Sequence, residues 1–592
     1  MTKRGKRQKR PRHPDSFGHR PRSTREPERG PGPTARPASR QPDWLWASVL
    51  VAIVLAAYLP AALRDGFVLD DDRYVAENPL LLSLGGLRRI WTQGVPQEHY
   101  WPITYTVFWL EHQVWGLAPA GYHAVNVLLH AANAVLLWRI LVRIEVRGAW
   151  LAAAIFGLHP VHVESVAWVI ELKDVLSGLL YLLAFFAYVA FVEKGRRGAY
   201  ALSLALFAAA MLSKSAVVTL PLAIGLWLWW KRGRLVRSDL APLAGMLGLA
   251  TVMALVDVIR LREPYHSDFS PVERLLIAAR AICFYVGELA WPFKLVPIYP
   301  RWKIDTASVW QWLPVVAVVA ALLLAALGRR RLGRGPVAAA SFFVATLLPT
   351  LGFIDFSFMA RSLVADRFQY LASIGPIALA VVGAALASER FSLHPWAARA
   401  GGAGVLLALG VLTWRQGSVY TNEETYYQAI LAGNPDSSLA HNNLAVALAR
   451  RGQIDEAIQH HEEALRLEPD YAQAHYNLAN VLARRGRTDE AIPHYEEALR
   501  LQPDAAEARY YLALVLARRG RTDEAIQHYE EALRLEPDAA ETHVGLANVL
   551  AARGRTDEAI EHYEEALRLK PDLAEARYDL ALVQAHRGRS AH

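Results

Sequence analysis

Cysteine is almost absent from this chain: Cys283 stands alone among 592 residues. One thiol excludes an intramolecular disulfide and a cysteine-built metal cluster. Charge is missing from long stretches. Runs near 20 apolar residues recur, and each is long enough to cross roughly 30 Å of hydrocarbon. With 53% hydrophobic residues and a positive mean hydropathy, the chain does not fit the ordinary soluble class. Acids are scarce at the start, where residues 1–40 hold 13 Lys/Arg against 3 Asp/Glu. That stretch also lacks apolar periodicity and is rich in Arg, Pro, Gly and Ser, which predicts a disordered arm. Residues 438–592 reverse the balance, with 27 acids against 19 Lys/Arg. The net charge of +8 therefore averages a basic arm, an apolar body and an acidic tail.

The arm's KRGKRQKRPR cluster has the density of a nucleic-acid binder. It lies just before the first apolar run, however, where positive residues hold an N-terminus in the cytoplasm. No nucleic-acid partner is expected. Eleven spans are predicted, at 44–63, 120–142, 149–170, 174–192, 199–213, 216–230, 240–260, 309–327, 336–354, 368–387 and 401–416. Starting inside, the inner loops are Arg139–Arg147, Glu193–Gly198, Lys231–Asp239, Gly328–Gly335 and Glu389–Arg399. All carry clustered Lys/Arg, as the positive-inside rule requires. Glu273–Trp291 is apolar but holds Arg274, Arg280 and Glu288, and reads as an interfacial or re-entrant helix. Counting it as a span would put the GRRRLGRG loop outside.

The tail repeats itself. Asp455-Glu456-Ala457-Ile458 recurs from Asp489, Asp523 and Asp557, a period of 34 residues, and Pro469, Pro503, Pro537 and Pro571 end the units. This resembles the tetratricopeptide repeat (TPR), two antiparallel helices per unit. The expected organisation is a basic arm over 1–40, a polytopic body over 41–420, a capping helix or linker over 421–437, and a TPR domain over 438–592 with four full repeats and a terminal helix. The expected fold class is all-α. Asn443, Asn477, Asn480, Tyr511 and Asn548 fall where first helices usually line the concave groove, and asparagine can hydrogen-bond an extended peptide. Surface solvation explains the same residues equally well.

Chemistry is expected at the outer ends of the spans. Asp70, Asp71 and Asp72 sit together just after the first apolar run. His159, His162, Glu164, Lys173 and Asp174 fall within 16 residues, and such groups are costly at membrane depth. On one continuous helix His159 and His162 would be neighbours three apart, with Glu164 turned elsewhere unless Pro160 kinks the chain. Three readings stand open: a metal site, interhelical hydrogen bonding, and the wall of an active site. No third or fourth metal ligand is evident from spacing, although Asp70–Asp72 could supply carboxylates.

Several segments carry a resemblance through their order: FVLDDDRYVAENPLL, GYHAVNVLLHAANAVLLW, HPVHVESVAWVIELKDVLSGLLYLLAF, MLSKSAVVTLPL and ADRFQYLASIG, with TPRs last. This is similar to the transmembrane-and-TPR O-mannosyltransferases and their bacterial relatives, which belong to the GT-C group of polytopic glycosyltransferases. The resemblance covers about residues 44–592. It implies a multi-span body, a lipid-phosphate sugar donor and an acceptor outside the cytoplasm. No resident cofactor is expected. The family's acidic motif matches Asp70 and Asp71. Its His-Pro-x-His-x-Glu segment matches His159, Pro160, His162 and Glu164. Lys173 stands where many members carry Arg and loses the bidentate fork. Lys214, Arg367 and Tyr370 match the later motifs.

The expected mechanism is displacement. Asp71, with Asp70 as runner-up and Glu164 as a third carboxylate, takes the proton of a Ser/Thr hydroxyl. The oxygen attacks the anomeric carbon and polyprenyl phosphate leaves. His159, His162, Lys173, Lys214 and Arg367 are the expected phosphate-binding groups. No metal is assigned, though a divalent ion stays compatible with the residues. The expected location is a bacterial inner membrane, with the N-terminus cytoplasmic and the TPRs outside. The alternative is a membrane-anchored TPR scaffold without activity. Eleven spans exceed what an anchor needs, and intramembrane His, Glu and Lys serve no anchoring purpose. A transporter fits less well, because the charges gather at one end rather than at midplane.

Overall fold

The computed structural model describes residues 43–63, 66–95, 100–260 and 266–590. The basic arm predicted over 1–40 lies outside them. The described residues form helices and connecting turns, with no strand among them. Five helices are long and apolar enough to cross a membrane: Pro119–Arg143, Val169–Lys194, Arg237–Ile259, Val309–Leu332 and Pro395–Val419. Shorter apolar helices accompany them, including Asp43–Ala57, Ala149–Leu158 and Arg197–Met211.

The expected span at 149–170 is not one helix. The helix Ala149–Leu158 stops, His159 is extended, a 3-10 turn covers Pro160–His162, and a short helix runs Val163–Ala167. Proline explains the break. It has no N–H to donate and forces the preceding residue out of the helical region. His159 and His162 are therefore not stacked on one helical face. Pro271–Ala290, expected to be interfacial or re-entrant, is a continuous 20-residue helix opened by a Ser270–Glu273 capping box. Its cations are met by protein: Arg274 pairs with Asp355 at 2.9 Å, and Arg280 lies over the Trp302 ring at 4.3 Å.

The repeats are regular. Helix pairs Ser438–Arg450 with Ile454–Leu467, Ala472–Arg484 with Thr488–Leu501, Ala506–Arg518 with Thr522–Leu535, and Ala540–Ala552 with Thr556–Leu569 stack in order, and Ala574–Ser590 follows. Ala457, Ala491, Ala525 and Ala559 are fully buried, because only a methyl fits where the two helices of a unit cross. Gly452, Gly486, Gly520 and Gly554 turn the chain at φ between +76° and +84°, which residues with a Cβ adopt at a cost. Exposed ion pairs such as Arg485–Asp455 and Arg587–Asp557, both 3.0 Å, repeat between units. Each is worth at most about 1 kcal/mol.

One more helix, Glu423–Gly433, joins body to repeats and begins with an Asn422–Thr425 capping box. Tyr427 accepts a hydrogen bond from Asn443 Nδ2 at 3.0 Å, and Arg450 pairs with Glu423 at 3.1 Å. On its other side Asn434 donates to the Ile298 carbonyl at 3.3 Å. The helix is thus fixed at both ends.

Replacing Gly520 by Val should cost about 1–2 kcal/mol by forcing a branched side chain into the left-handed region. Amide exchange in the full chain should quicken across 506–535. Unchanged exchange there would count against the turn assignment.

Candidate active site

The body gathers six charges in one cluster, and four of them, Glu164, Glu171, Asp174 and Arg367, are buried. Glu164 binds Arg367 twice: the guanidinium pairs with Oε1, and the Arg367 backbone N–H donates to Oε2 at 2.9 Å. Arg367 Nε also reaches Glu171 at 3.3 Å. Lys173 pairs with Glu171 at 3.1 Å. Lys214 lies 3.7 Å from Glu171 and pairs more closely with Asp174. Ser165 donates to the second Asp174 oxygen at 3.0 Å. Three carboxylates thus meet three cations, so the cluster is neutral overall. A buried charge left alone would cost several kcal/mol.

Aromatic rings close around the cations. Arg367 lies 4.2 Å from the Phe358 ring, 5.1 Å from Phe368 and 5.3 Å from Trp168. Lys173 sits 5.4 Å from the Trp101 ring. Their quadrupoles favour cations where water is scarce. Lys173 and Lys214 keep side-chain exposures of 12% and 14%, against 8% for Arg367. The two lysines are the accessible cations.

The acidic loop docks on this cluster through its backbone. Asp71 is fully buried. One of its oxygens accepts from Val68 N–H at 3.1 Å, the other from Ile170 N–H at 2.9 Å. Ile170 directly precedes Glu171 in sequence, so Asp71 pins the loop beside the charges. Burial pushes the Asp71 carboxyl up to about 8; the two N–H groups oppose this, and Asp70 and Asp72 add to it. Its oxygens are occupied and unreachable, which is not the position expected of a base. Asp70 is partly exposed. It lies within electrostatic reach of Tyr426 and Tyr427, and Asp72 within reach of Arg450. Leu69, just before Asp70, holds φ at +52°, a left-handed conformation that costs a non-glycine residue of order 1–3 kcal/mol. One π-helical turn, Asp72–Ala76, follows.

The histidines serve the chain break. His159 Nε2 meets the Leu289 carbonyl at 3.0 Å, and its Nδ1 accepts from Val161 N–H at 3.4 Å. His162 Nδ1 meets the Phe156 carbonyl at 2.7 Å and its Nε2 meets Ser373 Oγ at 3.0 Å. All four ring nitrogens have protein partners and both residues are buried. The expectation that they bind phosphate is corrected on that ground. His130 was passed over in the sequence. It bonds the Tyr370 hydroxyl at 2.8 Å, and Asn133 donates to the same oxygen at 2.9 Å. Tyr370 is thereby a buried brace between helices.

Glu171 was also missed, although it stands in the quoted VIELKD segment. It touches all three cations and is the centre of the cluster. Among the described residues no group of three or more His, Cys, Asp or Glu is arranged to hold a metal ion. In the repeats, the Asn480 and Asn548 side-chain oxygens accept from Tyr495 and Tyr563, and Asn443 is tied to Tyr427. Asn477 donates to Asn442 at 3.0 Å. Tyr511 packs 6.1 Å from the Tyr476 ring. These five form internal contacts within the stack.

The capping helix roofs the cluster. The Tyr426 ring lies 6.4 Å from Trp168 and 5.5 Å from Tyr420. Both tyrosines are buried within electrostatic reach of Glu164 and Arg367.

A bundle of apolar helices with a buried charged cluster, roofed by the first helix of a TPR solenoid, defines a class of integral membrane proteins that carry TPRs. The comparisons narrow it. The family model for dolichyl-phosphate-mannose-protein mannosyltransferase matches residues 102–256, and tetratricopeptide models match 436–504, 476–540 and 547–588. In its mannosyltransferase-like segment and its repeats the chain is similar to the transmembrane-and-TPR O-mannosyltransferases. It is 30% identical to the human protein O-mannosyl-transferase TMTC4 over 215 residues, which is 31% of this chain and 29% of that one. Human protein O-mannosyl-transferase TMTC1 is 25% identical over 495 residues, 71% of this chain and 55% of that one. A crystal structure of MamA aligns with 25% of this chain and 87% of its own at 24% identity, with a TM-score of 0.24. The matched parts thus span about a third to a half of the relatives' own length.

Glu171→Gln should leave three cations facing two carboxylates. A loss of about 3–5 kcal/mol is expected for breaking such a pair. Thermal unfolding of the purified protein in detergent measures it, and a melting temperature equal to the parent's would contradict the central role given to Glu171.

Proposed function

We propose that this protein is a GT-C-type glycosyltransferase that moves mannose from a polyprenyl-phosphate donor to a protein Ser/Thr hydroxyl on the non-cytoplasmic side. The observation that supports it most is the docking of the acidic loop on Ile170, which directly precedes Glu171, the carboxylate that binds Lys173 and Lys214. The sugar comes from the relatives' names and from the family model, whose match includes Glu164, Glu171, Lys173, Asp174 and Lys214.

Asp70 is the base in this reading. It is the partly exposed carboxylate of the loop, and Asp71 is its anchor. Asp70 takes the hydroxyl proton, the oxygen forms its bond to the anomeric carbon, and the bond to the phosphate oxygen breaks. The leaving phosphate keeps that electron pair. Lys173 and Lys214 meet its charge, because each ammonium has three donors and neither is exhausted by its carboxylate partners. Arg367, Glu164 and Glu171 hold the lysines in place. The repeats begin directly above the cluster, so an acceptor peptide held by them would arrive at Asp70. The proposed division runs from body to repeats across 421–437.

Asp70→Asn keeps the shape and removes the base, so turnover should fall by roughly 10²–10⁴ with donor binding little changed. Asp71→Asn should instead cost stability, of order 1–3 kcal/mol for a disturbed buried acceptor. Sugar transfer and thermal unfolding measured on both variants separate the roles. Near-normal transfer by Asp70→Asn would end this mechanism.

The topology follows from the positive loops, with the N-terminus cytoplasmic and the repeats outside. A cysteine placed between Arg553 and Thr556 should react with an impermeant reagent without lysis of the membrane that holds the protein. Labelling only after lysis would reverse the orientation.

A further inference from the structure

A second site lies at the other end of the body. A half-open cavity of about 590 Å³ is walled by the helices Pro119–Arg143, Leu172–Lys194, Leu220–Arg232, Gly335–Leu347 and Ile374–Arg390. Such a volume suits one lipid chain or a small ligand. Its walls are apolar, with Leu137, Phe185, Phe342 and Ala378 among them. Its charged lining residues are Glu145, Arg147 and Arg331. The one acid is answered, since Glu145 pairs with Lys231 at 3.0 Å. Arg147 pairs with Glu389 at 3.1 Å through an exposed contact. Arg331 makes no ion pair among the described residues, and Arg329, Arg330 and Arg334 stand beside it. The mouth is therefore positive.

We propose that this cavity holds one acyl chain of a resident anionic glycerophospholipid, with its phosphate at Arg331 and Arg147. Two features choose that occupant. Two of the walls, Pro119–Arg143 and Leu172–Lys194, belong to helices long and apolar enough to cross a membrane, where hydrocarbon is the surrounding solvent. The mouth offers a cation without a carboxylate partner among the described residues, which suits an anionic headgroup. The sugar donor is a different lipid. Phe185 lies 12 residues beyond Lys173 on one helix, about 18 Å along its axis at 1.5 Å per residue. A phosphate at Lys173 cannot also sit at the cavity mouth.

The test uses the full chain, purified in detergent and stripped of lipid. Phosphatidylglycerol and phosphatidylcholine with the same chains are titrated while native mass spectrometry counts bound lipid and thermal unfolding reads stabilisation. Phosphatidylglycerol should bind one per protein and raise the melting temperature more than phosphatidylcholine. The exposed pair Arg147→Gln with Arg331→Gln should weaken phosphatidylglycerol binding about tenfold, one charge-assisted contact in size. Ala378→Phe should lower lipid occupancy by filling the cavity. If the two lipids act alike and neither variant changes the count, the proposal fails. It fails equally if polyprenyl phosphate displaces bound phosphatidylglycerol one for one, since the cavity would then be the donor's.

Discussion

Six clustered charges within an apolar bundle, four of them buried, constrain everything around them. An isolated ion there is prohibitive, and even a pair gains little over apolar packing. The chain accepts the cost by matching three carboxylates to three cations and surrounding them with rings. Meeting that balance needs side chains from distant stretches of sequence. Glu164 and Arg367 are 203 residues apart, Asp174 and Lys214 are 40 apart. The helices must therefore stop short or break at one level, so that loops can bring these groups together. The break after Leu158 and the 3-10 turns at 169–171, 215–219 and 366–369 all lie at this level.

That arrangement also explains why the repeats are attached through a packed helix. A charged cluster at the end of a bundle would be flooded by water unless something covered it. Tyr420, Trp168 and Tyr426 form that cover. Tyr426 belongs to the helix whose neighbour, Tyr427, is held by Asn443 of the first repeat. Packing of the solenoid thereby reaches the cluster through two residues. A load on the repeats would be felt at the lid, whereas a flexible linker would isolate the two parts.

Periodicity was the most legible property of the chain. The 34-residue repeat leads directly to helix pairs with small residues at the crossings. The all-helical class follows from the apolar runs. What the sequence hides is how polar groups share partners. His159 and His162 look like ligands because histidine is rare at membrane depth, yet the Phe156 carbonyl freed by the Pro160 break, the Leu289 carbonyl and the Ser373 hydroxyl satisfy them. Glu171 looks like an ordinary residue at the start of a helix, but only the folded chain brings Arg367 and Lys214 to it. The asparagines of the repeats carry the groove pattern, and tyrosines or asparagines from neighbouring helices bind them instead.

The acidic loop shows the same limit at the scale of one residue. Three adjacent aspartates are equivalent as letters. The backbone separates them. Leu69 in the left-handed region turns the chain sharply, and the strain is held because Asp71 is clamped by Val68 and Ile170 on the far side of the turn. With Asp71 fixed inward, Asp70 and Asp72 fall on other sides of the loop. Asp72 comes within reach of the Arg450 charge in the first repeat, and Asp70 within reach of Tyr426 and Tyr427 on the capping helix. A loop without the clamp would let the three acids exchange places, and each would be solvated. The buried carboxylate therefore fixes the conformation of the loop, and its two neighbours take different partners as a result.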